Sequence, residues 1–417
     1  MEKELFKRLI LEYQQLVVNV ELTPRDISLS DNFNYVLVGL RRAGKSYLLY
    51  QQVQHLIHQG HSAEEILYFN FEDDRLHGLT LQDLDTIKVC YEELFSHTPI
   101  FFLDEIQNVT GWEHFARRLA DQKYRVYITG SNARMLSMEI AGTLGGRYMI
   151  QGVLPYSFKE YLTAGNIRLQ KNWMYSPQRT EIVRMFDAYF HFGGLPEVQP
   201  IELLMKRQWL NNLYNKIFFG DILARFNIRN TIALKVLIQK LAESVKQPCS
   251  FTRLANIVSS TGKKTRVETI ADYLEYTAES CLIFSIENYA AKIVEKVSNK
   301  KFYFMDNGLL NLFLFDPETS LLENIVAIRL YSQYSDLCFF NDGFEVDFYL
   351  WEHSVAIQVS YSLADANTRN REVDGLCKLA RRYDINRMFI ITKDEEDTIE
   401  ANGHTIEVIP VWKWLLE

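Results

Sequence analysis

One stretch, VLVGLRRAGKSYLLYQQV at residues 36–53, constrains the chain more than any other. The apolar run YVLV at 35–38 leads into Gly39-x4-Gly44-Lys45-Ser46, and Leu48, Leu49, Val53, Leu56 and Ile57 then recur at the spacing of one helical face. This predicts strand, loop, helix. A glycine-rich turn exposes consecutive backbone N–H donors with no Cβ in the way, and the following helix adds its positive end. Such a loop holds the phosphate tail of a nucleotide. Gly39, Arg42, Ala43, Gly44, Lys45, Ser46 and Tyr47 are the expected ATP-binding set, with Lys45 reaching the β- and γ-phosphates and the Ser46 hydroxyl offered to Mg²⁺. Lys45 thereby also counts among the catalytic residues.

Three further apolar runs extend the pattern. ILYFNF (66–71), PIFFLDEI (99–106) and YRVYITGS (124–131) read as buried strands, and the helical spacing at 112–122 lies between the last two. Strands alternating with helices predict a parallel sheet, whose ligands bind at the carboxyl edge of the strands. Asp104 and Glu105 end the third run. One carboxylate there can complete a magnesium shell while the next polarises an attacking water, so Asp104 is assigned to the metal and Glu105 to the water. The same pair would also serve as a plain helix cap. Ser131, with Asn132 beside it, is placed to bond the γ-phosphate or the water, and equally to cap a helix. Arg147 is a candidate for neutralising charge on the phosphate, within the chain or across a subunit boundary.

Length and charge bound the rest. A chain of 417 residues suggests two to four domains, and a net charge of -8 argues against a surface that is basic throughout. Five scattered cysteines without a CxxC pair fit reduced thiols. The N-terminal MEKELFKRLILEYQQLVVNV reads as an amphipathic helix and not as a secretory leader. With no long uncharged apolar run, the expected location is the cytoplasm, without a membrane partner. His55, His58 and His61 lie at the end of the helix after the loop and read as solvated.

Beyond LPYSFKEYL the pattern is mostly helical from 181 to 245, broken by the turn signal HFGGLPE at 191–197. Residues 251–289 read as two short helices with a turn at Thr261-Gly262, a third helix and a strand pair, the order of a winged helix-turn-helix. Lys263, Lys264 and Arg266 open its presumed recognition helix, yet Glu268, Asp272, Glu275 and Glu279 follow on it, so duplex DNA and a protein partner both stay open. Residues 300–417 supply further strands and helices and read as a separate small α/β domain.

Together GLRRAGKSYLL, IFFLDEIQNV, YITGSNARML, GRYMIQGVLPYSFKEYL and FGGLPEV resemble a widespread prokaryotic family of AAA+-type P-loop ATPases. The resemblance covers essentially the whole chain. It implies an α/β fold: an ATPase core at 1–160, a helical lid or connector at 161–235, a winged-helix segment at 236–299, and at 300–417 a domain of unknown function similar to PD-(D/E)XK (restriction-endonuclease-like) nucleases. Such nucleases need an acid on a first helix, an aspartate on one strand and acid-x-lysine on the next, to hold Mg²⁺ beside the scissile phosphate. Glu323, Glu345 and Asp347 supply acids, but Gln358 and Ser360 stand where the last acid and the lysine belong, so an inactive nuclease fold is expected. The function implied is a Mg-dependent ATPase acting as a molecular switch for DNA or protein binding. A non-hydrolysing, nucleotide-regulated binding or transcription-type module and an ATP-gated nuclease are the alternatives, and a homo-oligomer is compatible with all three.

Overall fold

The computed structural model describes residues 3–130, 142–262 and 264–417. The chain separates into two units, Met1–Leu154 and Pro155–Glu417.

In the first unit the apolar runs become strands with helices between them: α1 (Lys3–Asn19), β1 (Asn34–Val38), α2 (Lys45–His58), β2 (Ile66–Asn70), α3 (Leu81–Leu94), β3 (Ile100–Asp104), α4 (Trp112–Asp121), β4 (Val126–Gly130) and β5 (Tyr148–Gly152). The sheet order is β2-β3-β4-β1-β5, and every neighbouring pair is parallel. The residues of β3 and β4 are buried throughout, which is why they read as continuous apolar runs rather than alternating ones. α1 is amphipathic as expected, burying Phe6, Leu9, Ile10, Tyr13 and Val17, with the Phe6 ring edge-on to Phe69 of β2. β5 carries no such signal: Met149 and Ile150 are exposed, and only its pairing with β1 makes it a strand.

The second unit opens with α5 (Phe158–Ala164), α6 (Gln178–Phe192), α7 (Leu203–Lys216), which continues into a π-helical segment at Ile217–Ala224, and α8 (Thr231–Glu243). The short strand β6 (Cys249–Ser250) precedes α9 (Phe251–Ser260) and α10 (Val267–Glu279). The hairpin of β7 (Ile283–Asn288) and β8 (Asn299–Phe304) follows, with α11 (Ile293–Ser298) at its turn. Then come α12 (Asn307–Asn311), α13 (Glu318–Gln333), β9 (Leu337–Asn341), β10 (Glu345–Leu350), β11 (Val355–Val359), α14 (Ala366–Ala380), β12 (Arg387–Thr392), β13 (Asp397–Ala401), β14 (His404–Pro410) and α15 (Val411–Trp414).

Among the described residues one nine-stranded mixed sheet runs through this unit in the order β13-β14-β12-β11-β10-β9-β7-β8-β6. β7 pairs in parallel with β9, Glu287 opposite Cys338. The β7–β8 hairpin and the C-terminal strands therefore share a sheet, and the boundary drawn from the sequence at 299/300 falls inside β8. The physical reason is the edge: a hairpin ending at β7 would leave unpaired N–H and C=O groups, and β9 takes them up.

Candidate functional site

The loop leaves β1 at Val38 and enters α2 at Lys45. Its glycines answer to two different constraints. A Cβ on Gly39 would stand 2.0 Å from the Val153 carbonyl oxygen, and Gly44 has φ of 97°, a conformation that L side chains rarely adopt. Arg42 also takes positive φ, at 65°. Ala43 is fully buried, and its carbonyl accepts a 2.9 Å hydrogen bond from Nη1 of the buried Arg25, whose Nη2 donates to the Leu154 carbonyl at 2.8 Å. Arg25 thus pins the loop to the segment after β5, a role that no local spacing announces. Tyr47 is exposed at the first turn of α2, its ring 5.3 Å from that of Tyr50, and Arg41 pairs with Glu72 at 3.0 Å.

Parallel topology puts the carboxyl ends of β1, β3 and β4 on one edge, and β4 lies between the other two. Lys45 is 4% exposed; Nζ donates to the carbonyls of Gly39 (3.1 Å) and Leu40 (3.2 Å) and lies 3.7 Å from Glu105 Oε1. Asp104 is 1% exposed, and the Ser46 hydroxyl is near enough to favour its charged form, so the two expected metal ligands face one another. Tyr68 donates to Asp104 Oδ2 at 2.6 Å, and the Thr129 hydroxyl donates to Oδ1. Burial first, and then the charge of Glu105, raise the Asp104 carboxyl above its ordinary value. Glu105 sits just past β3 with φ of 54°, its N–H donating to Thr129 Oγ1 at 2.9 Å and its carboxylate accepting from Gln107. Thr129 and Tyr68 are the groups that the sequence reading missed. Both lie on neighbouring strands, and only the strand order brings them to Asp104.

This donor set fits a phosphate tail and a hard cation: a loop whose glycines cannot carry side chains, one ammonium, a hydroxyl and a carboxylate in contact. Arg147 does not belong to it. It immediately precedes β5, where Tyr148 pairs with Asn34 at the amino end of β1, so a full strand length, about 15 Å, separates it from the loop. Its Nε donates to Asp121 Oδ1 at 2.6 Å, and it lines a hollow with Asn34, Lys123 and Arg125 at that opposite edge. The expectation of a charge-neutralising Arg147 acting within the chain is corrected accordingly. Ser131, Asn132 and Lys263 lie outside the described residues.

The motif FGGLPE proves to be a socket. Gly194 N–H donates to Asp306 Oδ2 at 2.8 Å and Leu309 N–H to Oδ1 at 3.2 Å, while a Cβ on Gly193 would stand 2.1 Å from the same carboxylate. Burial pushes Asp306 up to about 6, against the pull of these N–H donors. The motif therefore marks how this chain is tied together, not a reaction.

A second polar centre lies in a cavity of about 710 Å³ in the second unit, lined by Glu323, Glu345, Asp347, Gln358, Ser360 and Glu372 among others. Lys301 of β8, with no exposed surface, places Nζ 3.3 Å from Glu323, 3.0 Å from Glu345 and 3.2 Å from Asp347. Burial alone disfavours the ammonium, but these carboxylates hold its pKa well above the ordinary lysine value. Among the described residues no group of three or more His, Cys, Asp or Glu is arranged to hold a metal ion, and no helix is long and apolar enough to cross a membrane.

A parallel sheet with a glycine loop feeding a helix, and an Asp-Glu pair one strand removed at the same carboxyl edge, defines the first unit as the core of a P-loop ATPase. Residues 31–162 match a family model described as an AAA domain, and residues 183–319 match a domain of unknown function (DUF8612). The chain is 32% identical over 100% of its length to an uncharacterized protein of Methanocaldococcus jannaschii, of which it covers 96%. It is also 32% identical over 93% of its length to an uncharacterized protein of Haemophilus influenzae, of which it covers 95%. It belongs to the same family as these two proteins. Among solved structures, a Walker-type ATPase of Pyrococcus abyssi is similar at 13% identity and TM-score 0.40, over 75% of this chain and 95% of that one. Cdc6p of Pyrobaculum aerophilum is similar at 13% identity and TM-score 0.27, over 78% and 94%.

Proposed function

We propose that the chain hydrolyses ATP with Mg²⁺ and uses the nucleotide state as a switch for binding a partner through its second unit. The observation that carries this reading is the meeting of Lys45, Ser46, Asp104 and Glu105 at one strand edge. When bound, Mg²⁺ supplies positive charge against the β- and γ-phosphates. Ser46 and Asp104 would hold it. Loop N–H groups and the amino end of α2 would bind the phosphates, with Lys45 turning from the carbonyls of Gly39 and Leu40 toward them. Glu105 would orient water and take its proton, while Thr129 and Tyr68 keep Asp104 in place.

Among the described residues, 251–289 hold two helices and one strand rather than three helices and a strand pair, and it is the longer order α8, α9, α10, β7, β8 that supports the winged-helix reading of the middle segment. The placement of Glu323 on a helix and Asp347 and Gln358 on adjacent strands supports the inactive nuclease-like reading of the last. Of the two partner classes, the surface favours protein. Glu268, Asp272 and Glu275 are exposed on α10, where they would repel a DNA backbone, and Ile293, Val294 and Val297 are exposed at the hairpin turn.

Phosphate release measured for wild type and Glu105→Gln tests the reaction. We expect turnover in the first and a loss of about 10²-fold or more in the second, with ATP affinity kept. No turnover in either would reduce the chain to a nucleotide binder, and equal turnover in both would remove Glu105 from the reaction. Stimulation of wild type by duplex DNA would overturn the preference for a protein partner.

A further inference from the structure

The nuclease-like reading of the last segment implies a divalent cation among Glu323, Glu345 and Asp347, and the residues present do not fit one. The three carboxylates converge on a nitrogen. Lys301 Nζ lies 3.0 to 3.3 Å from an oxygen of each, hydrogen-bond spacing for an ammonium, whereas a hard divalent ion draws oxygens to about 2.0–2.6 Å. An ammonium has three N–H donors, and three carboxylates stand around this one.

The remaining groups are committed elsewhere. Tyr303, two residues along β8, donates to the same Glu323 oxygen at 2.8 Å. Asp347 Oδ2 accepts from Val359 N–H at 2.9 Å. Gln358, where an acid would complete a metal shell, accepts from Asp347 N–H through Oε1 at 2.9 Å and donates through Nε2 to the Glu345 carbonyl at 3.2 Å, so its amide staples β10 to β11. Ser360 donates to the Ser362 carbonyl at 3.0 Å.

We propose that Lys301 is the resident cation of this pocket, standing where a divalent metal would otherwise bind, and that the carboxylates, which hold no metal as arranged around its ammonium, become able to take one up when that ammonium is removed. The proposal rests on the nuclease-like reading for the identity of the ion displaced, and is independent of the ATPase reading. A tethered cation cannot diffuse away, so the pocket keeps its charge balance at any metal concentration. The lysine arrives from β8 of the hairpin, not from β11, so its charge also ties the winged-helix hairpin to β10 and α13.

The test is Mn²⁺ titration of the nucleotide-free full chain, read by loss of the free Mn²⁺ paramagnetic resonance signal, with folding checked by circular dichroism. Wild type and Asp347→Asn are expected to titrate alike. Lys301→Met is expected to gain one site at least ten-fold tighter than anything in wild type, and the site should vanish in Lys301→Met/Asp347→Asn. If burying unpaired carboxylates prevents Lys301→Met from folding, Lys301→Met/Glu323→Gln removes one charge of each sign and carries the same expectation. Asp347-dependent Mn²⁺ binding by wild type overturns the proposal, and so does a folded Lys301 variant that binds no better than wild type. Cutting of DNA by wild type with Mn²⁺, abolished by Asp347→Ala, would overturn the inactive nuclease-like reading as well and so separate the two failures.

Discussion

Replacing Gly39 by alanine tests the geometry of the phosphate loop without touching any group that would contact nucleotide through its side chain. The added Cβ would stand 2.0 Å from the Val153 carbonyl oxygen, and real Cβ atoms essentially never come within 3.0 Å of another heavy atom, so loop and strand must part by about 1 Å. They are not free to do so. Val153 N–H donates to the Val38 carbonyl at 2.7 Å, one residue before the substitution, and the Gly39 carbonyl itself accepts from Lys45. Overpacking of this kind costs about 1–3 kcal/mol, and the Val153–Val38 hydrogen bond, if given up, adds about 1 kcal/mol. Where the strain falls on the nucleotide-competent loop, 1.4 kcal/mol corresponds to ten-fold in affinity, so ATP should bind from about 5-fold to several hundred-fold more weakly. The assay is a fluorescent-nucleotide titration beside urea denaturation, with Gly152→Ala as control, since a Cβ there meets nothing within 4 Å. If Gly39→Ala bound ATP and unfolded like wild type while Gly152→Ala did too, the close approach of loop and strand would be refuted.

Arg25→Met should remove the donors to the Ala43 and Leu154 carbonyls, leaving buried acceptors unpaired at about 1–3 kcal/mol each; ATP affinity should fall although Arg25 stands behind the loop, and unchanged affinity would show that the loop holds its shape without it. Asp306 gives a pH dependence with a definite sign. Its folded pKa, about 6, lies above the unfolded value of about 3.9, so its contribution to stability is full below the unfolded value and is lost as pH rises through 6. The difference in unfolding free energy between wild type and Asp306→Asn should therefore shift against wild type by roughly 3 kcal/mol between pH 3.5 and 7. A flat difference would contradict the buried, partly protonated carboxyl.

The fold of the first unit was largely legible because four strands of the covered parallel sheet are nearly continuous apolar runs: 35–38 lies within β1, and 66–71, 99–106 and 124–131 contain β2, β3 and β4. β5 escaped because two of its side chains face outward, and so did the sharing of one sheet by the hairpin and the C-terminal strands. Those pairings are hydrogen bonds between segments far apart in the chain, and their side chains carry no periodicity that would announce them.

By itself the sequence determined the phosphate loop and the acid pair, because each is contiguous: a strand end, a turn without side chains and a helix start must follow one another, and covalent order supplies that. Tertiary structure decided the company those residues keep. It put Thr129 and Tyr68 on Asp104, turned Arg147 to the far edge of the sheet, and carried Lys301 from β8 into the carboxylates of α13 and β10. Which charges neutralise each other depends on distance in space, and strand order, not spacing along the chain, sets that distance.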